Sequence, residues 1–250
     1  MSGPVMTVSD VSFSFGDLTI LERVSFSAGE GELIGLVGPN GCGKTTFLEL
    51  LTGLRRPDAG EVTLPTADRS VAYLPQSPAF RPGFTARGTI EFYTELANIE
   101  TDPAVFLERV GLSHAADRRV EALSGGMRRL LGLAQALIGE PPIVMLDEPT
   151  SGLDPDMSDR IFEVMAELTA ADQVLLIASH DLSGIETHAN RVLFFSEGHI
   201  QLDGTPGWIR EQTNTESLRE AFSETLRSRN ETGTQVGDGG RTLDEEESHG

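Results

Sequence analysis

Apolar residues along this chain keep two different periods, and the switches between them mark its elements. Residues 5–15 and 18–27 alternate apolar and polar positions, with Gly16-Asp17 between them. That period of two predicts half-buried antiparallel strands joined by a tight turn. Leu33-Ile34-Gly35-Leu36-Val37 is apolar throughout, the pattern of a strand buried on both faces, and Phe47, Leu48, Leu50, Leu51 and Leu54 then follow at helical spacing. Residues 60–64 and 70–74 have the length of short strands. From Pro75 to Ala122 the period is helical, with helices expected over 89–99 and over 103–110, where Phe106, Leu107 and Val110 share a face. A second alternation follows: helix 126–138, strand 143–146, helix 155–169, strand 174–178, then strands 191–195 and 199–202. Alternating helices and strands predict an α/β fold whose mainly parallel sheet is covered by helices on both faces.

Residues 216–226 fit a last amphipathic helix. Beyond Ser228 acids and glycines dominate and aromatics are lacking, too little apolar surface to offset the entropy of ordering. A folded domain over 1–228 and a disordered acidic tail over 229–250 are therefore expected. With 38% hydrophobic residues the 250-residue chain can build a core. Its apolar runs, such as 143–146 and 174–178, are far shorter than the roughly 18–20 residues that span a bilayer. Met1-Ser2-Gly3-Pro4 lacks the basic stretch and apolar core of a secretion signal, so a cytoplasmic protein is expected. The single cysteine excludes an intrachain disulfide, and the five histidines are scattered without metal-ligand spacing. The 39 acidic and 19 basic residues give a net charge of −20, which repels nucleic acid at long range and removes it from the expected partners.

The chain has one lysine, Lys44; its other basic residues are arginines. That lysine lies in Gly38-Pro39-Asn40-Gly41-Cys42-Gly43-Lys44-Thr45-Thr46, which fits the phosphate-cradling pattern G-x-x-x-x-G-K-[ST], between a predicted buried strand and a predicted helix. Glycines let successive backbone N–H groups converge on a phosphate, and the helix N-terminus adds its positive end. A compact ammonium fits between β- and γ-phosphate oxygens where a planar guanidinium does not, and Thr45 offers a hydroxyl to Mg²⁺. Cys42 sits among those N–H groups and beside Lys44, surroundings expected to favour its thiolate.

Ile143-Val144-Met145-Leu146-Asp147-Glu148 is an apolar strand ending in two carboxylates. In a phosphate-loop fold, the first reaches toward the Mg²⁺ and the second can act as general base. Together with Leu123-Ser124-Gly125-Gly126-Met127 and Pro149-Thr150-Ser151-Gly152-Leu153-Asp154, this set resembles the nucleotide-binding subunit of an ATP-binding cassette (ABC) transporter over roughly residues 5–212. The resemblance implies a P-loop ABC core with an N-terminal antiparallel β subdomain and an inserted helical subdomain at about 77–139. It also implies ATP and Mg²⁺ as ligands. Gly38, Pro39, Asn40, Gly41, Cys42, Gly43, Lys44, Thr45 and Thr46 would form the Walker A loop, and Asp147 the Walker B aspartate. Thr45, Gln76 and Asp147 would hold the metal. Glu148 would be the catalytic base, Gln76 the Q-loop glutamine that relays to the membrane subunit, and His180 the switch histidine at the γ-phosphate. Asp154 would be the D-loop aspartate, and Phe15 the aromatic that stacks on adenine, where the family usually has tyrosine.

Ser124, Gly125 and Gly126 precede helix 126–138 and present a hydroxyl, N–H groups and a helix N-terminus to an anion. In the family this anion is the γ-phosphate bound by the other subunit. The resemblance thus implies a pair of subunits, identical or homologous, working on a separate ABC permease at the inner face of the cell membrane. Met127 replaces the commoner glutamine, and Gly125-Gly126-Met127-Arg128-Arg129 is similar to ABC-2-type exporter ATPases. A soluble ABC ATPase outside transport, such as the iron–sulfur-assembly type, is the competing reading. That type usually has acidic and lysine-rich residues after its signature in place of Met-Arg-Arg. DNA-repair members need a coiled-coil insertion for which the stretch between Gln76 and Leu123 is too short.

An acidic, lysine-poor surface is similar to proteins of salt-rich cytoplasm, in which screening relieves repulsion between carboxylates. The melting temperature should accordingly rise markedly between low salt and molar KCl in a thermal-denaturation series. A flat profile would assign the composition to arginine-biased codon usage.

Overall fold

All five residues of strand β3 (Leu33–Val37) are buried, and the fold is arranged about it. The computed structural model describes residues 3–66, 69–170 and 172–234. β3 lies parallel between β7 (Val174–Ala178) and β8 (Arg191–Ser196). β6 (Ile143–Asp147) and β5 (Val71–Leu74) continue the parallel order beyond β7, and β9 (His199–Gly204) closes the other edge antiparallel to β8. Successive side chains of these strands enter different layers. Leu33, Val37, Leu146 and Ile177 join one apolar cluster, whereas Ile34, Leu36, Met145 and Leu176 join another. Burial of both faces is why the strands read as unbroken apolar runs.

The first cluster is roofed by helices α2 (Ala86–Leu96), α3 (Pro103–Arg109), α4 (Gly125–Ala136), α5 (Pro155–Thr169), α6 (Leu182–His188), α7 (Pro206–Thr213) and α8 (Leu218–Thr234). The second contains α1 (Lys44–Leu51) and the antiparallel sheet of β1 (Met6–Phe15), β2 (Leu18–Ala28) and β4 (Ala59–Thr63), in the order β2-β1-β4. Phe47 on α1 stacks on Phe195 at 5.6 Å between centroids and meets Phe26 at 5.7 Å, so this helix is pinned between the two sheets. α2, α3 and α4 fall between β5 and β6 in the chain. The fold is α/β, with a mainly parallel sheet and a separate antiparallel one.

Two helices escape the periodicity. α6 contains Gly184, a poor helix former, but a Cβ there would lie 2.1 Å from Cε2 of Phe162 on α5. Close packing decides that position, while Asp181 caps the helix by accepting from Gly184 N at 3.1 Å. α7 opens with Pro206-Gly207, a pair that reads as a turn, yet Thr205 caps it by accepting from Trp208 N at 3.2 Å. α8 runs to Thr234, beyond the boundary expected at Ser228; residues 235–250 of the expected acidic tail lie outside the described residues.

Arg191 binds the pieces together. It donates from Nε and Nη2 to the Asp203 carboxylate, both at 2.7 Å, and from Nη1 to Ser27 O at 2.7 Å and to Glu32 at 3.3 Å. One guanidinium thus joins β8, β9, the end of β2 and the approach to β3. Arg191→Lys keeps the charge and loses the fork. It should cost about 1–2 kcal/mol in urea denaturation, by the strength of charge-assisted bidentate pairs.

Candidate active site

The loops after β3, β6 and β7 meet at the carboxyl ends of the parallel strands, where ligands of α/β sheets collect. Gly43 is the N-cap of α1 with φ 104° and ψ 7°, a left-handed conformation that side chains resist, and a Cβ there would meet Ile20 Cγ2 at 2.9 Å. This turn aims the amino end of α1 into a cleft of about 570 Å³, within the roughly 300–1,000 Å³ of small-molecule sites. Asn40, Gly41, Gly43, Lys44, Thr45 and Thr46 line one side of it, and Gln76, Asp147, Glu148 and His180 another. Phe15 and Ile20 reach it from the antiparallel sheet. Lys44 is only 7% exposed; its Nζ donates to Gly38 O at 2.8 Å and to Pro39 O at 3.1 Å. Gly38 and Pro39 therefore serve the lysine from behind the loop and do not line the cleft.

Asp147 ends β6 almost fully buried. Its Oδ2 accepts from Thr45 Oγ1 at 2.7 Å and from the Tyr73 hydroxyl at 3.4 Å. Burial pushes this carboxyl above its ordinary range; the Thr45 hydrogen bond opposes the shift and the neighbouring Glu148 charge adds to it. Burial and the Asp147 and Glu49 charges raise the Tyr73 hydroxyl as well, so it stays neutral and donates. Thr45 and Asp147 offer the hard oxygen donors that Mg²⁺ takes, one or two from protein with phosphate and water beside them.

Glu148 has φ 48°, uncommon for a residue with a side chain and a form of strain that collects at functional sites. Its N–H donates to Ala178 O at 2.8 Å, which ties the turn to β7. Its Oε2 lies 2.6 Å from His180 Nδ1 and accepts from His180 N at 3.4 Å. A carboxylate fixed in this way at a cleft wall can orient a water and accept its proton.

The structure corrects the expectation for Cys42. Burial pushes its thiol up, and this outweighs the lowering by Lys44 and by backbone N–H groups, so the protonated form is favoured. Ser124, Gly125, Gly126 and Asp154 are not brought to the cleft. Ser124 caps α4 by accepting from Met127 N at 3.2 Å, and Asp154 caps α5 by accepting from Met157 N at 3.0 Å. Ile20, Tyr73, Ser151 and Arg129 were not anticipated as site residues. Ser151 lines the cleft, while Arg129 donates from α4 to the carbonyls of Ser151 and Gln76. No spacing in the chain links these positions; only the fold does.

A family model described as ABC transporter matches residues 21–151. The chain belongs to the ABC transporter family. Nod factor export ATP-binding protein I of Burkholderia orbicola (strain AU 1054) is 36% identical to it over 220 residues, covering 80% of this chain and 72% of that protein. The protein of the same name from Bradyrhizobium diazoefficiens is also 36% identical over 220 residues, covering 82% and 72%. A solved structure described as the ATP binding subunit of an ABC transporter superposes with a TM-score of 0.79 at 25% identity, over 89% of this chain and 99% of that one. This ABC chain is accordingly an ATP-binding transporter subunit with the P-loop ABC fold, from a family that hydrolyses ATP.

The raised pKa of Asp147 carries a sign. The folded protein holds this proton more tightly than the unfolded chain, so the group's contribution to stability falls as pH rises from the ordinary 3.8 through the raised value. At pH 7 without nucleotide, Asp147→Asn should therefore melt no lower than wild type, while phosphate release from ATP is lost. Thermal denaturation and a phosphate assay check the two halves separately.

Proposed function

We propose that this subunit hydrolyses Mg-ATP as one half of a head-to-tail pair, and that closing and reopening of the pair drives export through a separate ABC permease. The observation that carries the pairing is a separation. The chain has one phosphate cleft around Lys44 and one helix N-terminus at Ser124-Gly125-Gly126, and none of these three residues lines the cleft. A second subunit brings its α4 N-terminus, with free N–H groups and a positive helix end, against the γ-phosphate. Asp154 reaches the partner at the same seam.

Within each site, the loop from Gly38 to Thr46 cradles the phosphates, and Lys44 moves from its carbonyl partners onto the β- and γ-phosphate oxygens. Phe15 stacks on adenine. Thr45, Asp147 and Gln76 would hold the Mg²⁺, which would supply positive charge to offset that of the phosphates. Glu148 accepts a proton as water oxygen bonds to the γ-phosphorus and the bridge to ADP breaks. His180, bonded to Glu148 through Nδ1, orients that carboxylate and senses the γ-phosphate. Gln76 follows β5 and passes the state of the site to the permease. Among the described residues no helix is long and apolar enough to cross a membrane, and we place the subunit on the cytoplasmic face, held there by its partner. Export is supported by the names of the relatives, which are Nod factor export proteins, and by Met127 in the signature.

Glu148→Gln keeps the shape and removes the proton acceptor, so ATP should bind without turnover and hold the pair closed. That variant with ATP should run as a dimer in size-exclusion chromatography, and adding Ser124→Arg should abolish the dimer while nucleotide still binds at Lys44. Wild-type turnover by Glu148→Gln would remove Glu148 as base; a dimer indifferent to Ser124→Arg would remove the shared site.

A further inference from the structure

We propose that Arg55 is a specificity determinant for the purine base, acting as the back support of the Phe15 ring. The inference rests on Phe15 serving as the base platform described above. Phe15 is the last residue of β1 and is 47% exposed, so ordinary packing does little to hold its ring. Two neighbours do. The Phe13 ring meets it edge-on, with centroids 4.9 Å apart and planes at 89°. The Arg55 guanidinium lies over the ring, its Cζ 5.0 Å from the centroid. Phe15 still lines the cleft, so surface remains for a ligand.

Arg55 is itself anchored. Its Nε pairs with the Glu49 carboxylate, and its backbone N–H donates to Glu49 O at 3.0 Å. Glu49 lies on α1, and Arg55 follows just past the end of that helix. The eight residues of α1 span about 12 Å at ~1.5 Å per residue. One rigid helix therefore carries the phosphate loop at its amino end and the brace of the base platform beyond its carboxyl end. The distance between phosphate and base subsites is thereby tied to that helix.

The charge has a second effect. A cation over one face of an aromatic ring draws on its π density, which reduces repulsion between the opposite face and an electron-rich purine. The planar guanidinium also stacks where an ammonium cannot. Arg55 thus acts through Phe15 and through the base; it has no role toward the triphosphate.

Titration calorimetry with ATP and with inorganic tripolyphosphate separates these contributions. Arg55→Ala should weaken ATP binding by roughly two- to fivefold, the range of exposed cation–π contacts, and leave tripolyphosphate binding unchanged. Arg55→Lys should recover part of the loss, and Arg55→Ala should change nothing in a Phe15→Ala background. Phe15→Ala with wild-type affinity for ATP would remove the platform itself. If Phe15→Ala weakens ATP but Arg55→Ala binds it equally or more tightly, the support by Arg55 is overturned and the platform stands. Equal losses for ATP and tripolyphosphate would also overturn it, by showing that Arg55 acts on the phosphate loop through α1.

Discussion

Holding the Lys44 ammonium almost out of water is the constraint on which the site depends. A buried cation without partners is costly, and a carboxylate partner would neutralise the charge that a phosphate needs. Here Nζ is satisfied by the carbonyls of Gly38 and Pro39, and Asp147 and Glu148 are engaged by Thr45 and His180 instead. The lysine is thus solvated by the backbone of its own loop, with no carboxylate among the described residues as its hydrogen-bond partner. That arrangement requires the loop to turn sharply enough to point two carbonyls at one side chain, which the left-handed Gly43 and the fixed ends of β3 and α1 provide. Pinning α1 between two sheets through Phe47 holds the turn in place.

The carboxylate side of the cleft follows a related logic. Asp147 is buried at a cost that its raised pKa records, and Thr45 and Tyr73 reduce that cost by donating to it. Glu148 sits in a strained backbone conformation, stabilised by hydrogen bonds to β7 and His180. Such groups are poised for chemistry at the expense of stability, as is common where function and folding compete. Ser124 and Asp154 are also helix caps in the single chain. Their local role fixes where the amino ends of α4 and α5 point.

Much of this was legible in the chain. The unbroken apolar runs specified the buried parallel strands, because a strand covered on both faces has no polar position to spare. The Gly-rich loop with the single lysine, and the strand ending in Asp147-Glu148, meet at one cleft, as residue types restricted at fixed spacing predict. Helices α6 and α7 were missed because Gly184 and Pro206-Gly207 violate helix propensity for reasons of packing and capping. α8 also continues past the boundary expected at Ser228.

The sequence by itself therefore determined the family, the strands buried on both faces and most of the residues that line the cleft, since each is written in local pattern. Tertiary structure alone decided the state and company of those groups. Cys42 carries every local signal for a thiolate, yet burial reverses it. Tyr73 and Asp147, or Arg129 and Ser151, lie far apart in the chain and meet only because the fold packs β5, β6 and α4 together. Desolvation and long-range contact depend on what the whole fold places around an atom, and no stretch of neighbouring residues encodes that.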